Sequence, residues 1–399
     1  MHTNTAFVLT ILVLCYAVVS GVVKRWYLAP ALIFVLFGIV LGPFVFGVID
    51  VGTDAATFTV VAQLALTVIL FNQAAQLDLT MVFRRREVTF RLLVIGIPLA
   101  LVLGTLTALL VLPVMPLWEA VCLAAIVAPT EVVLIDALIE DKRIPGRVRH
   151  ALSTESGFYD GFALATVLAA LALASERVDV DASHWGWFLV RTEVVSVLVG
   201  LGVGFLGGAV IARSRKRDWM SDTWAQLATL AVALVCFEAG ERLHGSGFVA
   251  AFAGGLAFAF ITKRIGAPPE TQVSEAAGQL LELMVFAMFG SYAVIAGWRD
   301  AGWRVVLFAV LALFVVRMAA VGLALIRSDL PARNRLFIGW FGPRGIGTLV
   351  LGLLVVNRGD IEQETLITQV VVVTVTLSLV VHSLTAWPGI RALRPARSL

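Results

Sequence analysis

Thirteen apolar runs of membrane-spanning length, separated by short polar breaks, limit what this chain can fold into. They fall near residues 5–23, 28–49, 57–73, 91–112, 117–138, 152–175, 187–212, 222–240, 246–262, 276–296, 303–326, 335–356 and 366–386. A hydrocarbon core about 30 Å thick needs about 20 apolar residues per helical crossing. Inside it every backbone N–H and C=O must be satisfied within the segment, which leaves helices as the spanning element for runs of this length. With 60% of residues apolar and 14% charged, the 399-residue chain cannot hide these runs in a water-soluble core. The first run lacks a basic leader and a small-residue cleavage site, so it reads as a first span and not as a signal peptide. Cys15, Cys122 and Cys236 all sit in apolar runs without ligand spacing, which implies neither a disulfide framework nor a metal site.

The basic residues test the count independently, because Lys and Arg gather in cytoplasmic loops. Loops after odd-numbered spans, with the C-terminal tail, hold 22 of the 30 Lys and Arg. The N-terminus and the loops after even-numbered spans hold 5, and Arg191, Arg317 and Arg344 lie within spans. One span missed or added would scramble this alternation. The expected architecture is an all-α polytopic bundle of about 13 helices, N-terminus outside and C-terminus cytoplasmic, in a cytoplasmic (inner) membrane. The basic runs at 84–91 and 213–217 read as topology determinants, and residues 176–184 as an exposed loop. No repeat of 20–50 residues, nucleotide loop or nucleic-acid platform appears.

Two spans are broken in corresponding places. The fifth carries Pro129, Thr130 and Glu131 at its centre; the twelfth carries Gly342, Pro343, Arg344, Gly345 and Gly347. Proline removes a backbone donor and clashes with the preceding turn, and irregular backbone survives at membrane depth only inside protein or beside a watery cavity. One span is odd and the other even, so the breaks (near 129–131 and 342–347) run in opposite directions. Such a pair marks secondary transporters, with the ion site where the broken helices cross; the plainer reading is two proline kinks.

Buried charge favours the transporter reading. Glu131 lies 14 residues into its span from outside, Arg317 also 14 from outside, and Asp160 and Arg344 about 8 and 9 from inside. All four reach middle depth, where an ionisable group costs about 2.5–3.5 kcal/mol on insertion scales and has a partner or a task. Ser156 and Asp160, four apart, share a helix face, whereas Glu155 points about 140° away. Asp160 therefore reads as the ion-site acid and Glu155 as half of a structural ion pair. Glu238 and Glu282 read as interfacial or solvated, Asp136 could line a vestibule one turn past the break, and Glu193 is left open. The five histidines are placed at or outside span ends, with no proton relay expected.

"APTE", "RVRHALSTESGFYDGFAL" and "FIGWFGPRGIGTLVL", in this order and spacing, resemble the NhaP-type monovalent cation/proton antiporters across essentially the whole chain. "LALTVILFNQAAQLDL" is similar to the family's third span. The resemblance implies an inverted-repeat fold with core helices at about 91–175 and 303–386. These would move against dimerisation helices at about 1–73 and 187–296. It assigns cation and proton binding to Asp160, with Thr130, Glu131 and Ser156, and a structural pair to Glu155 and Arg317. Arg344, between Pro129 and Pro343, would offset the site or the helix ends.

Three positions depart from the family pattern. Tyr159 stands where Asn or Asp is usual, Glu131 where Asp is usual, and Asn72 and Gln73 where an acid is usual, so these side chains would modulate the site. Tyr159 reads as a neutral donor that caps or shields Asp160, the alternative being an altered sodium site. The expected function is electroneutral Na+/H+ exchange, with K+ or Li+ as the alternative cation, or a non-transporting membrane sensor on the same scaffold. The chain is not expected to be an enzyme or to hold a cofactor. Expected partners are cations, protons, the lipid bilayer and a second copy of the chain, and no nucleic acid.

Overall fold

A computed structural model describes residues 3–49, 55–77, 88–131, 134, 141, 143–174, 182–358 and 361–393, the side chains of 3, 4, 6, 55, 56, 172, 182–193, 357 and 358 excepted. Asp136, the side chains of Arg191 and Glu193, and much of 84–91 and 176–184 lie outside the described residues. The helices are α1 (Thr3–Arg25), α2 (Pro30–Leu41), α3 (Ala55–Gln76), α4 (Val88–Val111), α5 (Leu117–Val127), α6 (Gly146–Ala174) and α7 (Ala182–Lys216). They continue as α8 (Asp222–Arg242), α9 (Gly247–Ile265), α10 (Gln272–Asp300), α11 (Trp303–Ala324), α12 (Ala332–Trp340), α13 (Ile346–Arg358) and α14 (Glu364–Ala392). Among the described residues nine helices are long and apolar enough to cross a membrane. The remaining expected spans hold α2, α5, α6 and the α12–α13 pair.

Some helix ends are legible as chemistry. Ser246 caps α9 by accepting from the Val249 N–H, and Gly266 closes it at φ 81°, a left-handed position that glycine takes without steric cost. The second run, expected to be helical to residue 49, is helical only to Leu41. Pro43 explains the difference: it disfavours helical backbone at Gly42, which is extended at φ −73° and ψ 176°.

Helix packing depends on small residues, as expected where lipid is as apolar as the side chains. Gly200 and Gly204 of α7 lie against the backbone of Ala250 and Gly254 of α9 so closely that no Cβ would fit. Gly38 of α2 and Gly290 of α10 meet in the same way, against Ala287 and Val35. The most extensive contacts tie α7, α8 and α9 together, α9 and α10 to α3, and α2 to α10. On the other side α4 packs on α5, α5 on α6, α11 on α12 and α14, and α13 on α14. The breaks after α5 and between α12 and α13 lie where these helices meet α3 and α10.

Candidate functional site

The two breaks are joined backbone to backbone. The Glu131 N–H donates to the Pro343 carbonyl at 2.8 Å, so each unwound segment satisfies a group that the other has freed. Arg344 adds a second tie: its Nη1 donates to the Pro129 carbonyl at 2.9 Å, at the C-terminal end of α5. A guanidinium at the negative end of a helix is favourable. The Arg344 N–H donates to Ser378 Oγ at 2.7 Å, and that hydroxyl lies 3.1 Å from His382 Nδ1. His382 Nε2 is 2.9 Å from the Trp340 carbonyl, just before the second break. This histidine is buried well inside α14, not at a span end as expected, because the helix runs on to Ala392.

Arg317 and Glu155 form a bidentate pair, Nη1 to Oε1 at 2.5 Å and Nη2 to Oε2 at 3.0 Å, both residues no more than 3% exposed. Arg317 Nη2 also lies 3.3 Å from the Ile338 carbonyl of α12. The arginine follows a π-helical stretch at Leu311–Val316, an irregularity that re-aims the residues after it. Gly342 has to be glycine here, since a Cβ would run into Arg317 Nε and lie 3.0 Å from Thr130 Cγ2.

Tyr159 belongs to this basic side. Its electrostatic neighbours are Arg344, Arg317 and Glu155, and its buried hydroxyl has no hydrogen-bond partner among the described residues. It does not cap Asp160, as had been expected. Tyr159 precedes Asp160 directly, so the helix turns the two side chains about 100° apart.

The acidic side holds Asp160 and Glu131, 4% and 2% exposed. A Cβ on Gly347 would lie 3.1 Å from Asp160 Oδ1 and 4.0 Å from Glu131 Oε2, so both carboxylates reach the start of α13. The Gly347 N–H hydrogen-bonds Glu131, and the Gln73 side chain hydrogen-bonds Asp160. Asp160 Oδ2 and Glu131 Oε1 are buried without a partner among the described residues. Ser156 Oγ donates to the Thr130 carbonyl at 2.5 Å, fixing α6 to the first break and leaving its lone pairs free. Of the two amides expected to modulate the site, only Gln73 meets Asp160. Asn72 turns to α10 and accepts from Ser274 Oγ at 2.7 Å.

Glu282 overturns the interfacial expectation. It is 2% exposed, and its electrostatic neighbours are Glu131 and Asp160. The reason is helix register: α10 starts at Gln272, four residues before the apolar run, which places Glu282 ten residues into the helix. Glu238, by contrast, is exposed and lies 3.6 Å from Arg242. Among the described residues no three acids, histidines or cysteines are placed to hold a metal ion together.

Asp141, between α5 and α6, accepts from the Tyr27 hydroxyl at 2.8 Å and pairs with Arg143 at 2.5 Å. The Arg143 hydrogen bonds hold its carboxyl well below the usual range, and burial, with Asp141 alongside, raises the Tyr27 phenol. Arg143 and Arg391 both stack on Trp387, which ties this cluster to the end of α14.

A family model described as "Sodium/hydrogen exchanger, transmembrane" matches residues 9–389, nearly the whole chain. The chain belongs to the transmembrane sodium/hydrogen exchanger family. Among similar sequences, a probable Na+/H+ antiporter of Schizosaccharomyces pombe is 25% identical over 88% of this chain and 49% of its own length. The K+/H+ antiporter NhaP of Alkalimonas amylolytica is 24% identical over 98% of this chain and 67% of its own length. The chain thus spans about half of the first relative and two thirds of the second. The solved structure of the sodium proton antiporter MjNhaP1 from Methanocaldococcus jannaschii superposes with a TM-score of 0.77 at 18% identity. The match covers 95% of this chain and 98% of that one, so the exchanger fold is shared. Glu282, Ser378 and His382 carried no sequence signal that set them apart from span-end or packing residues.

Proposed function

We propose that this exchanger-family chain is a secondary antiporter that exchanges a monovalent cation, Na+ first, for H+ at Asp160. The observation that carries the reading is a buried carboxylate at the crossing of two broken helices, bonded to the neutral Gln73 and with one oxygen unpartnered among the described residues. Such a group must be neutralised, and either a proton or a cation can do it, but not both on the same oxygens. Sodium is a hard ion that takes several oxygens. Asp160, Glu131, Ser156 Oγ and Thr130 are the candidate ligands, with the carbonyls freed at the first break. Glu155 and Arg317 neutralise each other and do not take part in the exchange, and Arg344 holds the end of α5.

One exchanging carboxylate gives electroneutral 1:1 exchange. In this reading α4–α6 and α11–α14 move as a unit against α1–α3 and α7–α10. The glycine contacts of α7 with α9 and of α2 with α10 support a rigid second group. The alternation of basic loops supports a cytoplasmic membrane with the N-terminus outside, and the resemblance supports a homodimer serving pH homeostasis. K+ is the second reading, favoured by the K+/H+ activity in the name of the Alkalimonas relative.

The test is cation-dependent dissipation of a pH gradient in proteoliposomes, with Li+, Na+ and K+, for wild type, Asp160→Asn and Tyr159→Asn. Wild type should respond to at least one cation and Asp160→Asn to none. Equal exchange in Asp160→Asn would sink the assignment, and no response of wild type to any cation would favour a non-transporting sensor.

A further inference from the structure

The buried side chains at this depth do not balance in charge. Among the described residues four carboxylates, Glu131, Glu155, Asp160 and Glu282, face two guanidinium groups, Arg317 and Arg344, all 4% exposed or less. Glu155 is taken by Arg317. Arg344 is directed to the Pro129 carbonyl, and its electrostatic neighbours are Arg317, Tyr159 and Glu155. Three acids are left on the other side of the crossing, each with a buried oxygen that has no partner: Glu131 Oε1, Asp160 Oδ2 and Glu282 Oε1.

Glu282 comes from a different helix group than the other two. Its own helix carries no Lys or Arg before Arg299. The helices packed on it bring no compensating charge to its middle among the described residues: α13 has no ionisable side chain before Arg358, and α14 none between Glu364 and His382. α2 has no ionisable side chain, and α3 presents the amides Asn72, Gln73 and Gln76. On α8, Glu238 lies beside Arg242, and Glu241 accepts from the Gly247 N–H. Lys24 and Arg25 are at the far end of α1. α10 packs on α3, whose Gln73 bonds Asp160, and on α13, whose Gly347 lies beside Asp160 and Glu131, so these two acids are the charged groups on the side to which Glu282 belongs. A buried carboxylate in apolar surroundings with no hydrogen-bond donor has no structural payoff of the kind Glu155 has.

We propose that Glu282 is a third carboxylate of the exchange site, presented by α10, whose charge draws both cation and proton to Asp160 and so sets the affinity for each. It acts through the field and not as a shared ligand, consistent with the absence of a three-acid metal site among the described residues. A unit charge on a neighbouring group inside a protein changes the affinity of a carboxylate for a cation or a proton about tenfold.

The inference rests on Asp160 as the exchange site, and the test separates the two. Glu282→Gln in proteoliposomes should raise the apparent KM for Na+ about tenfold at alkaline pH. It should also move the acid limb of the rate profile about one pH unit lower, since protons compete less well. Glu282→Asp should keep both near wild type. If the Gln variant does not transport, Na+-induced shifts in melting temperature of the purified protein across pH read the same two quantities as binding. Glu282→Met, apolar and of similar length, replaces the Gln variant where that one does not fold. A neutral variant with unchanged KM and unchanged acid limb overturns the proposal, because Glu282 would then be a neutral packing residue. A wild-type protein without cation response overturns instead the reading of Asp160.

Discussion

On one side of the crossing, Glu155 and Arg317 are locked in a bidentate pair, with Arg344 bonded to a helix end. On the other, Asp160, Glu131 and Glu282 are equally buried, yet each keeps an oxygen without a partner. Burial alone therefore does not distinguish a structural carboxylate from an exchanging one. Arg317 takes both oxygens of Glu155, whereas each acid on the other side has an oxygen without a partner among the described residues; Arg317 Nε and Arg344 Nε are without one too. A satisfied pair resists rearrangement, while an unsatisfied acid remains available to an ion that comes and goes. One helix, α6, serves both sides, because positions 155 and 160 lie about 140° apart around it.

The comparison is open to attack, most strongly on its satisfied side. Glu155→Ala leaves the Arg317 guanidinium buried and unpaired, and should cost about 3–5 kcal/mol. The expected readout is a large drop in melting temperature or no monodisperse protein on size exclusion. Gly342→Ala is expected to cost about 1–3 kcal/mol, since its methyl group runs into Arg317 and the pair must shift. Thermal melting of this variant beside Gly302→Ala, where a Cβ meets nothing, checks the steric cause.

A smaller effect is expected at the N-terminal ends of α5 and α14. Both carboxylate oxygens of Glu119 accept backbone N–H groups, from Glu362 at 2.9 Å and Gln363 at 3.0 Å, and so cap α14 from another helix. Glu119→Ala should lower stability by about 1–2 kcal/mol, as loss of a helix cap does, without changing cation preference. On the unsatisfied side, Asp160→Asn should leave the stability within about 1 kcal/mol of wild type while exchange is lost, because among the described residues no partner is orphaned apart from Gln73. A fall in stability as large as that of Glu155→Ala would erase the distinction between the two sides.

The last test uses pH. Asp141 is held below the usual carboxylate range, mainly by Arg143. A carboxyl whose folded pKa is depressed contributes stability that is present above the unfolded value, about 3.9, and is lost as pH falls through the folded value. Asp141→Asn should therefore melt below wild type at neutral pH, and the gap should close on acidification below about pH 4. A gap that stays constant with pH would show that the contact is not ionic.

Much of this was legible in the chain, for identifiable reasons. Pro129 and the run from Gly342 to Gly347 announce broken helices because few residues tolerate unwound backbone at membrane depth. Glu155 and Asp160 separate by helical angle alone. Tyr159 was misread because adjacency in sequence suggested a cap on Asp160, whereas neighbouring residues on a helix point in different directions. Asn72 and Gln73 look interchangeable in the sequence, yet one faces Ser274 on α10 and the other Asp160.

The sequence by itself determined the bundle of membrane-spanning helices, the alternation of its loops, the two breaks and the depth of the charges at 131, 160, 317 and 344. Those properties follow from the local period of the helix, the length of each apolar run and the cost of charge in lipid. Only the tertiary structure decided which breaks touch, which arginine takes which acid, and that Glu282 stands with Asp160. Residues 131, 160 and 282 come from three elements far apart in the chain, and their proximity depends on how α5, α6 and α10 pack. No helical period within one segment carries that information.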